Sequence, residues 1–442
     1  MNLRLPRTTA RRRIALGVAA AVGIALVASG CSASGSGGGS TTSSGGYKAP
    51  SKSLSANITY SVWDQTQVKA IDANLVGFNK EYPNIKVNVN VTPFADYFTK
   101  LQTQASSNSL PDLFWLNGPN FQLYASNGKI EPITGEVKAG AIKLSNYSKA
   151  LDNLYALNGT QYGVPKDFDT IGVWVNKALF KEAGVALPTA GWTWADFQND
   201  AKEISANLKS KGIYGGAGGM DGQTTFYNTI FQAGGDVISA NGKKSGYDTK
   251  AAQSGIDFWT QLIASGGSPT IQQLTDTTAD QWFTSGKLAM YWGGSWARTE
   301  VGTSPIAKDV QVYPLPIGKT QATVIHGLSN VVSATSKNKA AAQALQVYLA
   351  SKKAQLQQGD MGAVIPAFNG TQTAFAKSEP GVNLQIFLDA VKYAKPFPVS
   401  KNTAAWNALE TAQLPAAFSG AKSVTSVTDT LASQMNALLA KE

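Results

Sequence analysis

The chain has 442 residues, and its 38 lysines and arginines exceed its 28 aspartates and glutamates by a formal net charge of +10. Five of the basic residues precede Cys31, which leaves 33 against 28 and a net charge of +5 for the rest. So small a surplus excludes the clustered basic surface of a nucleic-acid-binding protein. A single cysteine excludes an internal disulfide.

The first thirty residues have the layout of a secretory signal peptide. Arginines crowd residues 4–13 with no acidic residue among them, residues 14–27 carry no charge, and three small residues complete the segment. The uncharged run is shorter than the roughly 20 residues that a helix needs to cross the hydrocarbon layer. We therefore expect residues 1–30 to be removed on export, and not to stay as a membrane span.

Cys31 follows these small residues directly, and this arrangement resembles the lipobox of bacterial lipoproteins. In that family, signal cleavage leaves the cysteine as a lipid-modified first residue. The resemblance is partial, because the family usually has leucine three residues before the cysteine, where this chain has Ala28. It implies that Cys31 carries lipid, such as palmitate, and anchors an exported protein to the outer face of the cell membrane. An unmodified thiol and export by the twin-arginine route stay open as alternatives.

Residues 31–55 consist largely of Ser, Gly, Thr, Lys and Pro. Such a composition cannot bury a core and predicts a flexible linker. Beyond it, residues 56–442 are long enough for two domains of ordinary size. Ten tryptophans, several of them in loop-like contexts, point to a ligand or an interface, because this side chain is unfavourable in water.

The hydrophobic pattern of the body alternates between strand and helix. Residues 58–62 and 87–91 alternate with period two, and apolar residues between 68 and 78 recur at helical spacing. A strand, a helix and a strand in so short a stretch predict a βαβ unit. Helical spacing returns in residues 338–350 and 427–438, and we see no short internal repeat. The sequence therefore predicts an α/β fold.

Seven segments, taken in order, resemble the extracellular solute-binding proteins of carbohydrate ABC importers, the maltose- and multiple-sugar-binding group. They are spread from about residue 58 to residue 370, so the likeness covers most of the mature chain. The segments are NKEYPNIKVNV, LPDLFWLN, YASNGKIEPI, the stretch from YGVPKDFDTIGVWVNKALFKEAGV to GWTWADF, FQAGGD, FTSGKLAMYWGGSW and HGLSNVVSATSKNKAAAQALQVYLAS.

This resemblance implies a two-lobed periplasmic-binding-protein-like α/β fold, with a hinge and a ligand cleft between the lobes. Carried onto this chain, the first lobe comprises residues 56–166 plus 318–365. The second lobe comprises residues 167–317 plus 366–442. Prolines at the expected crossovers fit, because proline interrupts helices and stiffens extended connections.

A sugar presents hydroxyl groups and apolar ring faces, so its site needs aromatic platforms with polar groups at their rims. Residues of these types stand where the family's cleft lies. As ligand-binding candidates we take Trp63, Asp64, Asn117, Asp167, Asp169, Tyr227, Asn228, Trp292, Trp296 and His326.

Trp296 is the strongest candidate, since in the family the tryptophan after a small-residue turn stacks on a sugar. Asp167 and Asp169 are two residues apart, so on an extended segment both carboxylates face the same side, where a hydroxyl-rich ligand could donate to both. Asn117 follows a short buried strand, where ligands of open α/β sheets gather.

Most of the candidates also have a purely structural interpretation. Trp63, Trp292 and the Tyr227 segment could belong to the core, and Asp64 could cap the following helix. Asp167 could pair with Lys166, Asn117 could be a turn residue, and a lone histidine is more often structural.

Competing functions fit the residues less well. A glycosidase needs two carboxyl groups across a glycosidic bond, but Asp167 and Asp169 are predicted on one strand face. The sequence has no nucleophile elbow, P-loop or dinucleotide fingerprint, and no Cys/His cluster for a metal. A binding protein of the same shape for a non-sugar solute, a secreted carbohydrate-active enzyme, and a surface adhesin stay as alternatives.

The expected function is therefore capture of a mono- or oligosaccharide and its delivery to the permease subunits of an ABC transporter, which the family resemblance implies. We expect a monomer without catalytic activity, cofactor or nucleic-acid partner.

Overall fold

A computed structural model describes residues 47–442, so the signal segment, Cys31 and linker residues 32–46 lie outside the described part. Two four-stranded sheets and three two-stranded pairs organise the chain. The strands are β1 (Ala56–Val62), β2 (Ile85–Val91), β3 (Leu113–Asn117), β4 (Ala156–Leu157), β5 (Thr160–Gln161), β6 (Asp167–Phe168), β7 (Ile171–Asn176), β8 (Tyr214–Gly218), β9 (Leu288–Gly294), β10 (Val310–Pro314), β11 (Thr323–Ile325), β12 (Leu328–Val332), β13 (Ile365–Pro366) and β14 (Ala394–Pro396).

Helices cover both sheets and connect their strands. They are α1 (Val68–Glu81), α2 (Phe94–Ser106), α3 (Gly118–Ser126), α4 (Thr134–Lys138), α5 (Lys149–Asp152), α6 (Lys177–Ala183), α7 (Trp194–Asn207), α8 (Tyr227–Gln232), α9 (Lys250–Ala264), α10 (Ile271–Asp276), α11 (Ala279–Thr284), α12 (Arg298–Thr303), α13 (Lys339–Leu349), α14 (Lys352–Asp360), α15 (Gln372–Lys377), α16 (Gln385–Asp389), α17 (Thr403–Phe418) and α18 (Val424–Leu439). Within residues 47–442, none of them combines the length and apolarity needed to cross a membrane.

The first sheet has the strand order β12-β3-β1-β2. Strands β1 and β2 run parallel, and the predicted βαβ unit is observed as β1, α1 and β2. Strand β12 is antiparallel to β3. The apolar face of α1 packs on this sheet through Ile71 and Phe78, which are fully buried or nearly so. The hydrophobic period of the sequence therefore predicted this part of the fold correctly.

The second sheet has the order β10-β7-β9-β8, with β8 parallel and β7 antiparallel to β9. All residues of β7 and β9 are buried, because helices cover both faces. The predicted terminal helix is α18, and its Leu431 and Met435 are completely buried in the core around this sheet. Both sheets thus have their own hydrophobic core.

Three chain segments cross between the sheets side by side, and we call them the hinge ribbon: residues 165–169, 326–329 and 365–366. Strand β6 pairs with β13, and the N–H of Lys166 donates to Leu328 O at 2.8 Å. The N–H of Asp169 donates to the carbonyl of His326 at 2.8 Å. The hinge is therefore a hydrogen-bonded ribbon of three segments.

The structure differs from the expected lobe boundary at residue 318. Strand β11 pairs with β14, and Val324 is completely buried in the core of the second sheet. The chain reaches the first sheet only at β12, whose Leu328 lies opposite Asn117. Residues 318–325 therefore lie with the second sheet, because their apolar side chains pack there.

The end of the expected linker packs against the body, although its composition predicted a flexible segment. Leu54 packs against the core of the first sheet, and Tyr47 is half-buried with its backbone close to Gly135. Burial raises the pKa of Tyr47 to about 12. Residues 47–55 thus lie against the folded body, which Leu54 and Tyr47 contact.

Candidate functional site

The carboxyl ends of β1, β2 and β3 lie on one edge of the first sheet, because these three strands are parallel. Ligands of open α/β sheets collect at such edges. Trp63 and Asp64 directly follow β1, and Asn117 ends β3. Trp63 and Asp64 are half-buried, so both keep part of their surface in solvent.

The second sheet contributes an edge of its own. Ile171 lies opposite Gly294, and Gly218 lies opposite Trp292, so the start of β7 and the ends of β8 and β9 coincide. Asp169 precedes β7, a single π-helical turn from Gly222 to Phe226 follows β8, and Trp296 follows β9. Asp169 and Trp296 are both half-buried.

His326 joins the two edges in the hinge ribbon. Its backbone N–H and carbonyl bond to Asp169, and its Nε2 accepts the N–H of Gly118 at 3.2 Å, directly after β3. Burial lowers the pKa of His326 to about 3, so the imidazole is neutral and able to accept this bond. The predicted ligand residue therefore serves as a buried contact between the edges, with its ring 4.8 Å from that of Phe397.

Trp63 sits on an aromatic base that fixes its ring. Its ring centroid lies 5.1 Å from that of Trp115 and 5.1 Å from that of Tyr97, both edge-to-face. Such edge-to-face pairs are favourable, because the positive edge of one ring meets the negative face of the other. Trp63 therefore offers a preformed apolar surface at the first edge.

Asp64 caps the single 3-10 turn from Gln65 to Gln67. Its Oδ1 accepts the backbone N–H of Thr66 at 2.8 Å, and its Oδ2 accepts Nε2 of Gln67 at 2.9 Å. The capping interpretation of Asp64 is thus the one that the structure shows. The carboxylate is held at a fixed angle beside Trp63 while remaining half-exposed.

Asp167 and Asp169 do not share one surface as the sequence predicted. Asp167 is buried and its Oδ2 forms a 2.8 Å salt bridge with Nζ of Lys166. Lys166 also donates to Oε1 of Gln67 at 2.8 Å, and its ammonium lies 4.6 Å from the ring centroid of Trp115. The Oδ1 atom of Asp167 accepts the N–H of Leu328 at 3.1 Å. All of Asp167 is therefore engaged in the hinge ribbon.

Asp169 instead belongs to the second edge. Its Oδ1 accepts Nε2 of Gln223 at 2.7 Å. Burial, together with the nearby charge of Asp167, holds the pKa of Asp169 well above its usual range. A carboxyl group fixed in this way can hydrogen-bond to a hydroxyl group.

Trp296 lies in a single 3-10 turn from Ser295 to Ala297, directly after β9. Its ring covers Gly294 so closely that a Cβ atom there would lie 1.9 Å from a ring carbon. Only glycine leaves room for this arrangement. The half-buried indole is therefore positioned by a backbone contact and not by a flexible loop.

Three predicted ligand residues lie inside the core of the second sheet and not at its edge. Tyr227 is completely buried and donates its hydroxyl to the carboxylate of Glu410. Asn228 accepts the N–H of Val324 at 2.8 Å, and Trp292 packs 4.9 Å from Trp259. These side chains make contacts inside the protein, because helices cover both faces of the sheet.

Asn117 ends β3 at the first edge, but its side chain is largely buried. It is 8% exposed, and its Oδ1 accepts Nδ2 of Asn120 at 2.9 Å. The structure thus brings together Trp63, Asp64 and Asn117 on the first edge and Asp169 and Trp296 on the second.

Among residues 47–442 no group of acidic, histidine or cysteine side chains is arranged to hold a metal ion.

Sequence reasoning missed two residues at these edges. Gln223 holds Asp169, and its only signal is its position in the loop after β8. Phe94 follows β2 at the first edge and is 56% exposed. The sequence could have indicated Phe94, because this aromatic residue follows a predicted strand, as Trp63 does.

Comparison with known proteins places this geometry in a family. The profile of the bacterial extracellular solute-binding proteins matches residues 61–356. A galactooligosaccharide-binding protein of Bacillus subtilis is 26% identical over 337 residues, which cover 74% of this chain and 77% of that protein. A maltooligosaccharide ABC transporter solute-binding lipoprotein of Streptococcus pneumoniae is 24% identical over 346 residues, or 73% and 75% of the two chains.

A solved structure extends the likeness to three dimensions. The GacH receptor of Streptomyces glaucescens, solved unliganded and with acarbose, has a TM-score of 0.78 and 26% identity. The superposition covers 87% of this chain and 99% of that one. Against a putative binding protein of Brucella abortus, the chain spans 64% of that relative's length.

Proposed function

This chain belongs to the family of bacterial extracellular solute-binding proteins and has their two-lobed α/β fold, and from this premise we propose that it captures an oligosaccharide between its lobes. The relatives named for galactooligosaccharide, maltooligosaccharide and acarbose support a sugar as the solute. The captured sugar is then handed to the permease of an ABC transporter.

One observation supports the sugar most directly: each of the two edges carries a half-buried tryptophan and a half-buried carboxyl group. Trp63 is next to Asp64 in the sequence. Trp296 follows β9 at the edge of the second sheet where Asp169 precedes β7. Indole rings complement the apolar faces of a pyranose, and carboxyl oxygens complement its hydroxyl groups. A charged solute such as a phosphate would need basic side chains here, and Lys166 is already paired.

Binding is proposed to favour a closed form. A ligand that contacts both edges gains more contacts when the lobes approach, and this difference shifts the population toward closure. The first lobe is built on the first sheet and the second lobe on the second sheet, with residues 318–325 assigned to the second lobe. The hinge ribbon lies between them.

The protein is proposed to act without catalysis. A glycosidase places two carboxyl groups across the scissile bond, one of them as a proton donor. Asp64 is tied to Thr66 and Gln67, and Asp167 is tied to Lys166. Asp169 accepts a hydrogen bond from Gln223, so we expect none of these three carboxyl groups to serve as the free acid or base of either reaction. The monomer therefore serves as a carrier that releases the sugar unchanged.

Anchoring is proposed to occur through lipid on Cys31 after removal of residues 1–30. We expect Cys31→Ser to move the protein from the membrane fraction to the medium, because the proposed lipid attachment is lost. Immunoblots of fractionated cells and metabolic labelling with palmitate measure this. Equal membrane retention and labelling in the variant would contradict the anchor without affecting the sugar proposal.

Trp296 provides the test of the binding site. Sugar binding to the purified protein should change tryptophan fluorescence and raise the melting temperature. Trp296→Ala should weaken the affinity roughly 10- to 100-fold, about 1.4–2.7 kcal/mol, because one apolar platform is lost. Titration with glucose, maltose, malto-oligosaccharides and galacto-oligosaccharides measures both effects.

Trp282→Ala is the matched control, because Trp282 is half-buried but packs on Tyr214 away from the two edges. It should leave the affinity unchanged. A folded wild-type protein that binds no sugar of the panel would refute the proposed function. Release of shorter sugars during the titration would instead support an enzyme.

A further inference from the structure

Phe94 is an exposed aromatic side chain at the first edge. Five large apolar residues within residues 47–442 are exposed, and the other four are aliphatic: Val76, Leu187, Leu356 and Val391. Phe94 is 56% exposed and is the first residue of α2, directly after Pro93. An exposed aromatic ring on a rigid element is typical of a contact surface and not of packing.

The ring of Phe94 continues the surface of Trp63. Its centroid lies 5.6 Å from that of Trp63 and 5.7 Å from that of Phe98, edge-to-face in both cases. Phe98 is half-buried and lies 5.8 Å from Trp63. We call Trp63, Phe94 and Phe98 the outer aromatic cluster.

The cluster is preformed. Trp63 rests on Trp115 and Tyr97, and the hydroxyl of Tyr97 donates to the carbonyls of Ser61 and Trp115 at 3.0 Å each. A surface that is already ordered pays less conformational entropy when a ligand binds. Next to it, Gln65, Thr66 and Asp96 are exposed and supply polar groups.

We propose that Phe94 and Phe98 form an outer subsite that holds a further pyranose ring beyond the one at Trp63. This inference rests on the proposed function and deepens it: the preferred ligand is an oligosaccharide, whose outer rings reach the cluster, and not a monosaccharide. The continuity of Phe94 with Trp63 carries the argument, because a ligand at Trp63 meets Phe94 as the next apolar surface.

The test compares chain lengths. Dissociation constants of the wild-type protein, Phe94→Ala and Phe94→Trp are measured by isothermal titration calorimetry with glucose, maltose, maltotriose and maltotetraose, and with galactose and galacto-oligosaccharides of matching length. Val76→Ala is the control, because Val76 is exposed to a similar extent but lies on α1 outside the cluster.

We expect the wild-type affinity to rise with chain length in one sugar series. Phe94→Ala should lose about tenfold in affinity for the longest sugar of that series and less than twofold for the shortest binding one, by removal of one stacking surface. Phe94→Trp should restore the gain. Val76→Ala should behave as the wild type at every length.

Two results would overturn the outer subsite while leaving the proposed function intact. One is equal affinity of Phe94→Ala and wild type at all chain lengths, which would assign the exposed ring to another contact, such as the permease. The other is an equal loss at all lengths, which would indicate a packing role. A folded wild-type protein that binds no sugar would reject both proposals together.

Discussion

Lys166→Met should lower the free energy of unfolding by about 3–5 kcal/mol, the largest effect that we expect of any single substitution discussed. Lys166 and Asp167 are both buried and form a 2.8 Å salt bridge in the hinge ribbon. Removal of the ammonium leaves the carboxylate of Asp167 buried without its charge partner. Equilibrium urea unfolding followed by circular dichroism measures the change.

The controls separate burial from charge. Lys392→Met removes the exposed pair with Asp389 and should change stability by less than about 1 kcal/mol. The double substitution Lys166→Met with Asp167→Asn should recover part of the loss, because no buried charge is then left unpaired. An effect of Lys166→Met no larger than that of Lys392→Met would contradict this account of the hinge.

Stability should fall as the pH rises from about 5 to 8, and Glu410 should account for up to about 3 kcal/mol of the fall. Burial raises the pKa of Glu410 to about 7 from its ordinary 4.5, against the opposing hydrogen bonds of Tyr247, Asn407 and Tyr227. The unfolded chain loses its proton at the lower pKa. Between the two pKa values the unfolded chain is deprotonated while Glu410 in the folded state still holds its proton. The free energy of unfolding therefore falls as the pH rises, until the pH passes about 7.

Glu410→Gln should flatten this pH dependence, because the amide does not titrate. Its stability relative to wild type should improve by up to about 3 kcal/mol between pH 5 and pH 8. The exposed Glu81 offers the control Glu81→Gln, which should leave the wild-type slope unchanged. Asp152, whose pKa burial raises to about 7, should keep a residual slope in Glu410→Gln. Parallel curves for wild type and Glu410→Gln would contradict the prediction.

The elements that were predicted correctly are those whose hydrophobic period is local. The βαβ unit of residues 56–91 and helix α18 each bury a face that is visible in a window of about 15 residues. The expected lobe boundary at 318 did not take into account that strand β11 pairs with β14, about 70 residues later along the chain. No local pattern reveals such a partner.

Candidate residues that follow a strand lie at the two sheet edges, and candidates that lie within an element are buried in the core. Trp63, Asp169 and Trp296 stand beside strand ends, and the structure brings them to the two edges. Trp292 lies inside β9, where both faces of the sheet are covered. Tyr227 lies in a helix whose partner, Glu410, comes from α17. Whether such a side chain faces ligand or core depends on those distant partners.

The hinge ribbon has a consequence for how the two sheets can move. Its three segments are bonded edge to edge through Lys166, Asp169 and the β6-β13 pair, so none of them can bend without the others. We therefore expect the two sheets to move relative to one another by a joint bending of this ladder. We expect the backbone hydrogen bonds of the ladder to persist during this bending, so that opening and closing of the lobes would not require local unfolding.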